Sequence, residues 1–453
     1  MSSAYIKERF PKIQVLVSVF LGGWLMLHPS AYTLADETPP SGTSTVVGAS
    51  VTSEAEFVEG TYIVNAGRQT PGWSKRAAKA VRAAGADVLV VWPEIGVVTA
   101  QLRSSSQLRA ISASSAVESV GKIGERGSQS ETAPTMDSSP ALSTEIPNSE
   151  EDLWNLSAIN AKNSDSRSGE GALVGVADSG IDARHPDLID AIDEKKSVDC
   201  SHGGVADSSS KRALTDTMGH GTSVAGIIAA SKNQWGARGV APGAKLASLK
   251  VIDESNTVSS ANLVCALVWS ANQDIDVLNM SIAVDPWIFW GPESAGFEAS
   301  NTAIQRAIKF AHSRNTLLVA SGGNEGADLD YVSSSTGKNR WPVSFDEVIG
   351  VGAVSEDLSP IDFSNYGNRD IDISAPGEWI LAPFPLASGT PFVPQSGTSF
   401  AAPHVSGAAA LVISSHPDWK AKQVEQYLYD TSRDLGVKGK DQFYGFGLIQ
   451  APS

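Results

Sequence analysis

Apolar positions in the first ordered-looking part of the chain change period repeatedly. TYIVNA alternates and reads as a strand, WSKRAAKAVRAAG repeats its alanines and valine every three or four residues and reads as a helix, and ADVLVVW and GVVTAQL read as strands. SSSQLRAIS then reads as a helix and VESVGKI as a strand, so residues 56–123 form a small β-α-β-β-α-β unit, an α+β domain. Residues 124–150, GERGSQSETAPTMDSSPALSTEIPNSE, lose all periodicity and are rich in Ser, Thr, Pro and acidic residues, the composition of a flexible linker. Beyond them the rhythm changes. GALVGVAD, KLASLKVID, DIDVLNMSI, NTLLVASGG and EVIGVGAV are short apolar runs separated by helical segments such as NTAIQRAIKFAHSR. Continuous apolar strands alternating with helices predict an α/β fold over residues 151–453: a three-layer, doubly wound, mainly parallel sheet covered on both faces. In such sheets, functional groups gather at the C-terminal ends of the strands.

The first 35 residues carry a different pattern. Lys7, Arg9 and Lys12 precede the apolar run Ile13 to Leu27, and small residues follow to Ala35, the form of a secretory signal peptide. The run is interrupted by two glycines and is shorter than the ~20 residues a bilayer span needs, which sets a membrane anchor behind export. Residues 36–55 read as a flexible segment. The chain has 34 basic and 50 acidic residues, and the acidic excess falls mainly after residue 150, with 22 basic against 36 acidic. That balance argues against nucleic acid or an anionic membrane as partner. The expectation is a soluble, extracellular monomer. Cys200 and Cys265 are the only cysteines; in an exported chain they are equally readable as a disulfide or as thiols, Cys265 lying in the helical, buried-looking ANLVCALVWSA.

Polar residues stand where apolar strands stop. Asp178 closes GALVGVAD, Asn324 follows NTLLVASGG inside a glycine-rich turn, His220 lies between glycines ahead of an apolar helical run, and Ser399 lies at the turn-to-helix junction of GTSFAAPHVSGAAALV. Taken singly, each reads equally as a cap or a turn residue. Together they supply what acyl transfer by serine requires: a nucleophile, a base, a carboxylate that fixes the base's tautomer, and a preorganised donor for the oxyanion. The order Asp, His, Ser excludes the α/β-hydrolase arrangement, and no Gly-x-Ser-x-Gly elbow occurs.

The segments VGVADSGIDARHPDL, GHGTSVAG, VLNMSIA, VASGGNEG and GTSFAAPHVSGAAAL, in that order, resemble the signature blocks of the subtilisin-like serine proteases, over about Leu153 to Ala451, with a likeness to actinobacterial secreted members. The resemblance implies that Asp178 orients His220, that His220 takes and returns the proton of Ser399, and that the Ser399 backbone N–H and the Asn324 amide hold the oxyanion. It implies that residues 56–123 are an inhibitory propeptide. It also implies that the backbone at Thr257 and Val258, and at Ser281, Ile282 and Ala283, sandwiches an extended peptide. Ser321, Gly322 and Gly323 would line an open primary pocket, where Glu325, Asp328 and Asp330 would favour a basic side chain if they are not simply solvated. Three departures stand out: Ser223 replaces a second histidine, Phe400 a methionine, and Ala283 and Val284 replace glycines at the pocket rim. The aromatic stretch Asp285 to Phe297 reads either as internal packing or as a wall for substrate.

The resemblance further implies one structural calcium ion, held by Asp187, Asn233 and the carbonyls of Ser231, Trp235 and Ala237, with a further ligand from Glu150 or Asp152. These are all oxygen donors, the set calcium prefers. No catalytic metal is expected. The sequence thus reads as a secreted serine endopeptidase that processes itself from a pre-pro-form. Its alternatives are a maturation protease dedicated to one peptide precursor and a catalytically silent binding protein of the same fold.

Overall fold

The computed structural model describes residues 59–123, 153–163, 165, 168–284, 288–294 and 296–452. The expected signal peptide, the 36–55 segment, the 124–150 linker, and Glu150 and Asp152 lie outside them. Among the described residues, no helix is long and apolar enough to cross a membrane.

The period changes near the start of the chain become real elements. Strand β1 (Gly60–Ala66), helix α1 (Pro71–Ala83), strands β2 (Asp87–Trp92) and β3 (Val97–Leu102), helix α2 (Ser105–Ser112) and strand β4 (Val117–Lys122) follow one another. The strands pair in the order β2-β3-β1-β4. Pro71 starts α1 where its missing N–H costs no bond, and Ser74, Ala77, Ala78 and Val81 turn one stripe inward. Ser104 and Gln107 close a capping box on α2. The buried side chains of both helices join Tyr62, Val64, Val98, Ala100 and Leu102 in a core of their own.

The larger sheet has seven strands in the order β11-β10-β9-β8-β5-β7-β6, every pair parallel. They are β5 (Leu173–Asp178), β6 (Val198–Asp199), β7 (Lys245–Lys250), β8 (Val277–Met280), β9 (Leu317–Ser321), β10 (Val348–Val354) and β11 (Ile373–Pro376). The strands are apolar on both faces because both faces are covered. On β9, Leu317 and Val319 point into one core, and Leu318 and Ala320 into the other. Helices α4 (His220–Ala229) and α8 (Thr398–Ser415) pack in the first core, and α5 (Ser260–Asn272) and α6 (Phe297–Ser313) in the second. Between α3 (Trp154–Ala158) and the C-terminal α9 (Ala421–Thr431) there are also α7 (Leu329–Thr336) and a hairpin, β12 (Ile380–Pro383) with β13 (Phe392–Gln395).

The small domain sits on α6. Gly121 has no side chain because a Cβ there would lie 2.8 Å from the Ala299 Cβ and 2.9 Å from the Gly296 Cα, so β4 lies directly on the start of that helix. Ile63, Trp92, Ile95, Val97 and Ile123 complete the core on the α5–α6 side. From α6, Arg306 reaches out of the larger domain: its Nη1 donates to the carbonyls of Ala66 at 3.1 Å and Gly96 at 3.2 Å, and its Nη2 to Glu118 at 2.6 Å.

Candidate active site

Asp178 ends β5 fully buried, and both its oxygens face His220 Nδ1, at 2.8 and 3.0 Å. An ionised carboxylate only accepts, so Nδ1 carries the proton and Nε2 presents its lone pair. The local chain is shaped for this contact. A Cβ on Gly221 would fall 2.2 Å from the Gly180 carbonyl, and Gly219 takes φ +93°, so glycines flank the histidine by steric need. Behind them is a carboxylate that sequence reasoning missed. Buried Asp216 accepts from Ser179 Oγ at 2.9 Å, from the N–H groups of Met218 and Gly219, and from both the N–H and Oγ1 of Thr222. It caps the first turn of α4 and so fixes where His220 starts. Its only sequence signal was an acidic residue just ahead of the Gly-His-Gly turn. Burial disfavours charge on His220, but the Asp178 carboxylate and, further off, Asp216 outweigh that and hold its pKa above the ordinary imidazole value.

Ser399 is the second residue of α8, and its main chain is held by an unusual relay. Pro403 inside the helix has no N–H for the Ser399 carbonyl. Ser281 Oγ donates there instead, at 2.7 Å; Ser281 Oγ accepts from Asn279 Nδ2 at 2.9 Å, and Asn279 Oδ1 accepts from Ser406 on the same helix at 2.8 Å. The end of β8 is thereby tied to the nucleophile candidate. The Ser399 hydroxyl itself leans on the Ser281 carbonyl at 3.4 Å, so the hydroxyl-to-His220 bond expected from sequence is not made in this state. Such bonds are often absent in a substrate-free enzyme and tighten only with substrate. Phe400 is buried with its ring 5.3 Å from that of His220, so the departure from methionine adds an aromatic wall beside the base.

Asn324 follows β9. Its Oδ1 accepts from both the N–H and Oγ1 of Thr398, each at 2.9 Å, which leaves Nδ2 to serve as a donor. Thr398 Oγ1 also accepts from the Gly323 N–H at 2.9 Å, fastening the Gly323–Asn324 turn to the start of α8. One turn later His404 donates from Nδ1 to the Phe400 carbonyl and accepts at Nε2 from Asn155, both at 2.8 Å; burial drives its pKa down to about 4, so it stays neutral.

The other expected residues lie in two places. Ser281, Ile282 and Ala283 run on from β8, and Thr257 and Val258 precede α5; neither segment is in a strand ladder, and Thr257 closes its own turn on Asp253. Ser321 ends β9 opposite Val351, with Gly322 bonded to the Val351 carbonyl. The expected acidic cluster is dispersed. Asp328 caps α7 through the Tyr331 N–H, and Asp330 accepts from the N–H groups of Asn368 and Arg369, so neither carboxylate is offered to a substrate. In the aromatic stretch, Trp290 is fully buried, stacks on Trp341 at 4.5 Å and donates to the Val284 carbonyl, and Phe297 also stacks on Trp341, at 5.5 Å. Those two side chains are packing. Ser223 is buried against the Pro383 carbonyl at 2.9 Å. Cys200 and Cys265 form a disulfide.

Of the calcium candidates, Asp187, Ser231, Asn233 and the Trp235 N–H are joined by hydrogen bonds, and the carbonyls of Ser231, Trp235 and Ala237 take no part in those bonds. Buried Asp187 accepts at Oδ1 from Asn233 Nδ2 at 2.7 Å, the Ser231 N–H and Oγ bond the Asp187 carbonyl, and Asn233 Oδ1 accepts from the Trp235 N–H. Exchanging the amide's oxygen and nitrogen by a half-turn would face two side-chain oxygens to each other. Oxygen donors on one short loop beside a buried carboxylate fit a hard cation.

Known proteins are similar to this chain in sequence and fold. The subtilase family profile matches residues 169–447. Subtilisin DY of Bacillus licheniformis is 36% identical over 282 residues, 62% of this chain and 89% of that protein. Among solved structures, the epidermin leader peptide processing serine protease EpiP of Staphylococcus aureus superposes with a TM-score of 0.70 at 20% identity, covering 87% of this chain and 97% of that one. A lanthipeptide protease superposes with a TM-score of 0.57 at 27% identity, covering 68% and 94%.

Proposed function

The chain belongs to the subtilase family and is a serine-type endopeptidase; on that premise we propose that it is exported and matures by its own activity, with Ser399, His220, Asp178 and Asn324 as its catalytic set. The observation that carries the reading is the His220–Asp178 pair, with a proton on Nδ1 and the pKa raised, in a site that also holds Ser399 and an Asn324 amide already aimed by Thr398. Ser399 Oγ attacks the peptide carbonyl while His220 Nε2 takes its proton. Asp178 holds the imidazolium that results. The Ser399 N–H, one of the unbonded donors of a helix first turn, and Asn324 Nδ2 receive the oxyanion. His220 then protonates the leaving amine, and water repeats the sequence in reverse. The peptide lies between the segments at Thr257–Val258 and Ser281–Ala283, and Ser321, Gly322 and Gly323 back its primary pocket.

Residues 1–35 direct export, residues 56–123 inhibit the enzyme until the 124–150 linker is cut, and the mature enzyme acts as an extracellular monomer on protein or peptide substrates. Asp187, Asn233, Ser231, Trp235 and Ala237 hold a structural Ca²⁺ that stiffens their loop and takes no part in the chemistry. A narrower reading, a protease dedicated to maturing one peptide precursor, draws support from the likeness to the lanthipeptide protease. The test is expression of the full chain beside Ser399→Ala, both weighed by mass spectrometry. The native chain should be shortened to a start near residue 150, and the variant should keep residues 56–123. Equal maturation of both in a protease-free host would refute self-processing.

A further inference from the structure

The turn read as the wall of the primary pocket is packed by charged and polar side chains. The bare face of Gly323 is met by three polar side chains: a Cβ there would lie 2.0 Å from Arg340 Nε, 2.4 Å from Asn365 Nδ2 and 2.6 Å from Glu325 Oε2. Arg340 is buried and donates from Nη2 to Glu325 Oε1 at 3.1 Å. Asn365, also buried, donates to Glu325 Oε2 at 2.6 Å and to the Gly322 carbonyl at 3.0 Å, while its Oδ1 accepts from the Glu325 and Ala327 N–H groups. This is a closed network against the residue that precedes the oxyanion donor.

We propose that Arg340 is the specificity-determining residue of the enzyme: with Glu325 it plugs the primary pocket, so that the substrate residue before the scissile bond must be small and uncharged. The inference rests on the reading of Gly323 and Asn324 as pocket wall and oxyanion donor. Its chemistry follows from volume and charge. The guanidinium lies where a long side chain would enter, so an aromatic residue has no room. A basic residue meets an arginine, and a long side chain of either charge would have to displace a pair that is already neutral and held by the Asn365 bonds. The acidic residues expected to attract a basic side chain thus do not: Glu325 is neutralised, and Asp328 and Asp330 are spent on α7 and on the 368–369 turn.

The test is a peptide series identical except for Ala, Ser, Phe, Lys or Glu before the cleaved bond, read as kcat/KM for the mature enzyme. Wild type should favour Ala and Ser over Phe, Lys and Glu by at least ~10-fold, the scale of one misfit group in a pocket. Arg340→Ala should raise the Phe and Lys rates relative to Ala, Lys most, because it opens volume and bares the Glu325 charge. Arg340→Ala with Glu325→Gln, which leaves no unpaired buried charge, should keep the gain for Phe and lose it for Lys. Preference of the wild type for Phe, Lys or Glu overturns the inference whether or not the variants fold, as does an unchanged profile in both variants. An enzyme that is inert to the whole series and also fails to mature itself would instead sink the catalytic reading, and the inference with it.

Discussion

Arg306→Ala should weaken the grip of the peptidase on its own N-terminal domain without touching catalysis. Arg306 is buried on α6 with its guanidinium shared among the carbonyls of Ala66, Ile95 and Gly96 and the Glu118 carboxylate. Burial pulls its pKa down against the support of Glu118, yet a guanidinium remains charged. Truncating one partner of a buried, hydrogen-bonded charge pair costs about 2–5 kcal/mol in an interface. The lower half applies here, because the Glu118 side chain is 48% exposed and can rehydrate when left alone. About 2–3 kcal/mol corresponds to about a 30- to 150-fold weaker complex. The carbonyl bonds, not the ion pair, should carry most of it, so Glu118→Gln should change affinity by less than about 5-fold. The assay is inhibition of the matured enzyme by the separate 56–123 domain, with Ki measured for wild type, Arg306→Ala and Glu118→Gln. The domain has a core of its own, and α6, which carries Arg306, packs on the opposite face of the sheet from α8, so kcat/KM without inhibitor should be unchanged. A Ki for Arg306→Ala within twofold of wild type would refute the anchor, and a Glu118→Gln effect as large as that of Arg306→Ala would refute its division between carbonyls and ion pair.

Removing the candidate oxyanion donor, Asn324→Ala, should cost about 100- to 1,000-fold in kcat with little change in KM; a loss confined to KM would make Asn324 a binding residue only. Because His220 must be neutral to act as a base and its pKa is raised, activity should appear as pH rises through a value above 6.5. Asp178→Asn removes the charge that raises it, so the limb should move to lower pH while kcat falls about 10⁴-fold; a limb that stays in place would assign it to another group. Excess chelator should lower the melting temperature of the calcium-loaded enzyme, since an ion that binds only the folded state stabilises it by mass action, and an unchanged melting temperature after verified metal removal would remove calcium from the 187–237 loop.

What could be read from the sequence was whatever the chain writes locally. β5, β9 and β10 declare themselves as unbroken apolar runs because both of their faces are covered, and Asp178, His220 and Asn324, each readable alone as a cap or turn residue, are conspicuous only together with Ser399 because the set completes one chemistry. The hairpin β12–β13 was not legible: each strand has four residues and a proline, which erases the alternation that would mark it. The disulfide is not legible in the sequence, because its partners are 65 residues apart and the helical setting of Cys265 suits either state.

The charged residues show the limit most clearly. Glu325, Asp328 and Asp330 present one sign of charge to a reader of the sequence, yet a charge is only half of an electrostatic statement. Arg340, the partner that Glu325 meets, comes 15 positions later and reads by itself as one more solvated residue of a turn. Arg306 likewise occupies what looks like the polar face of an amphipathic helix, and its acceptors, from Ala66 to Glu118, are about 190 to 240 residues away. The candidate catalytic residues are legible because the chemistry proposed for them demands particular types at particular turns. Specificity and inhibition depend instead on which distant side chains meet, and those meetings are set by the packing of α6, α7 and the Trp341 turn, which no local pattern encodes.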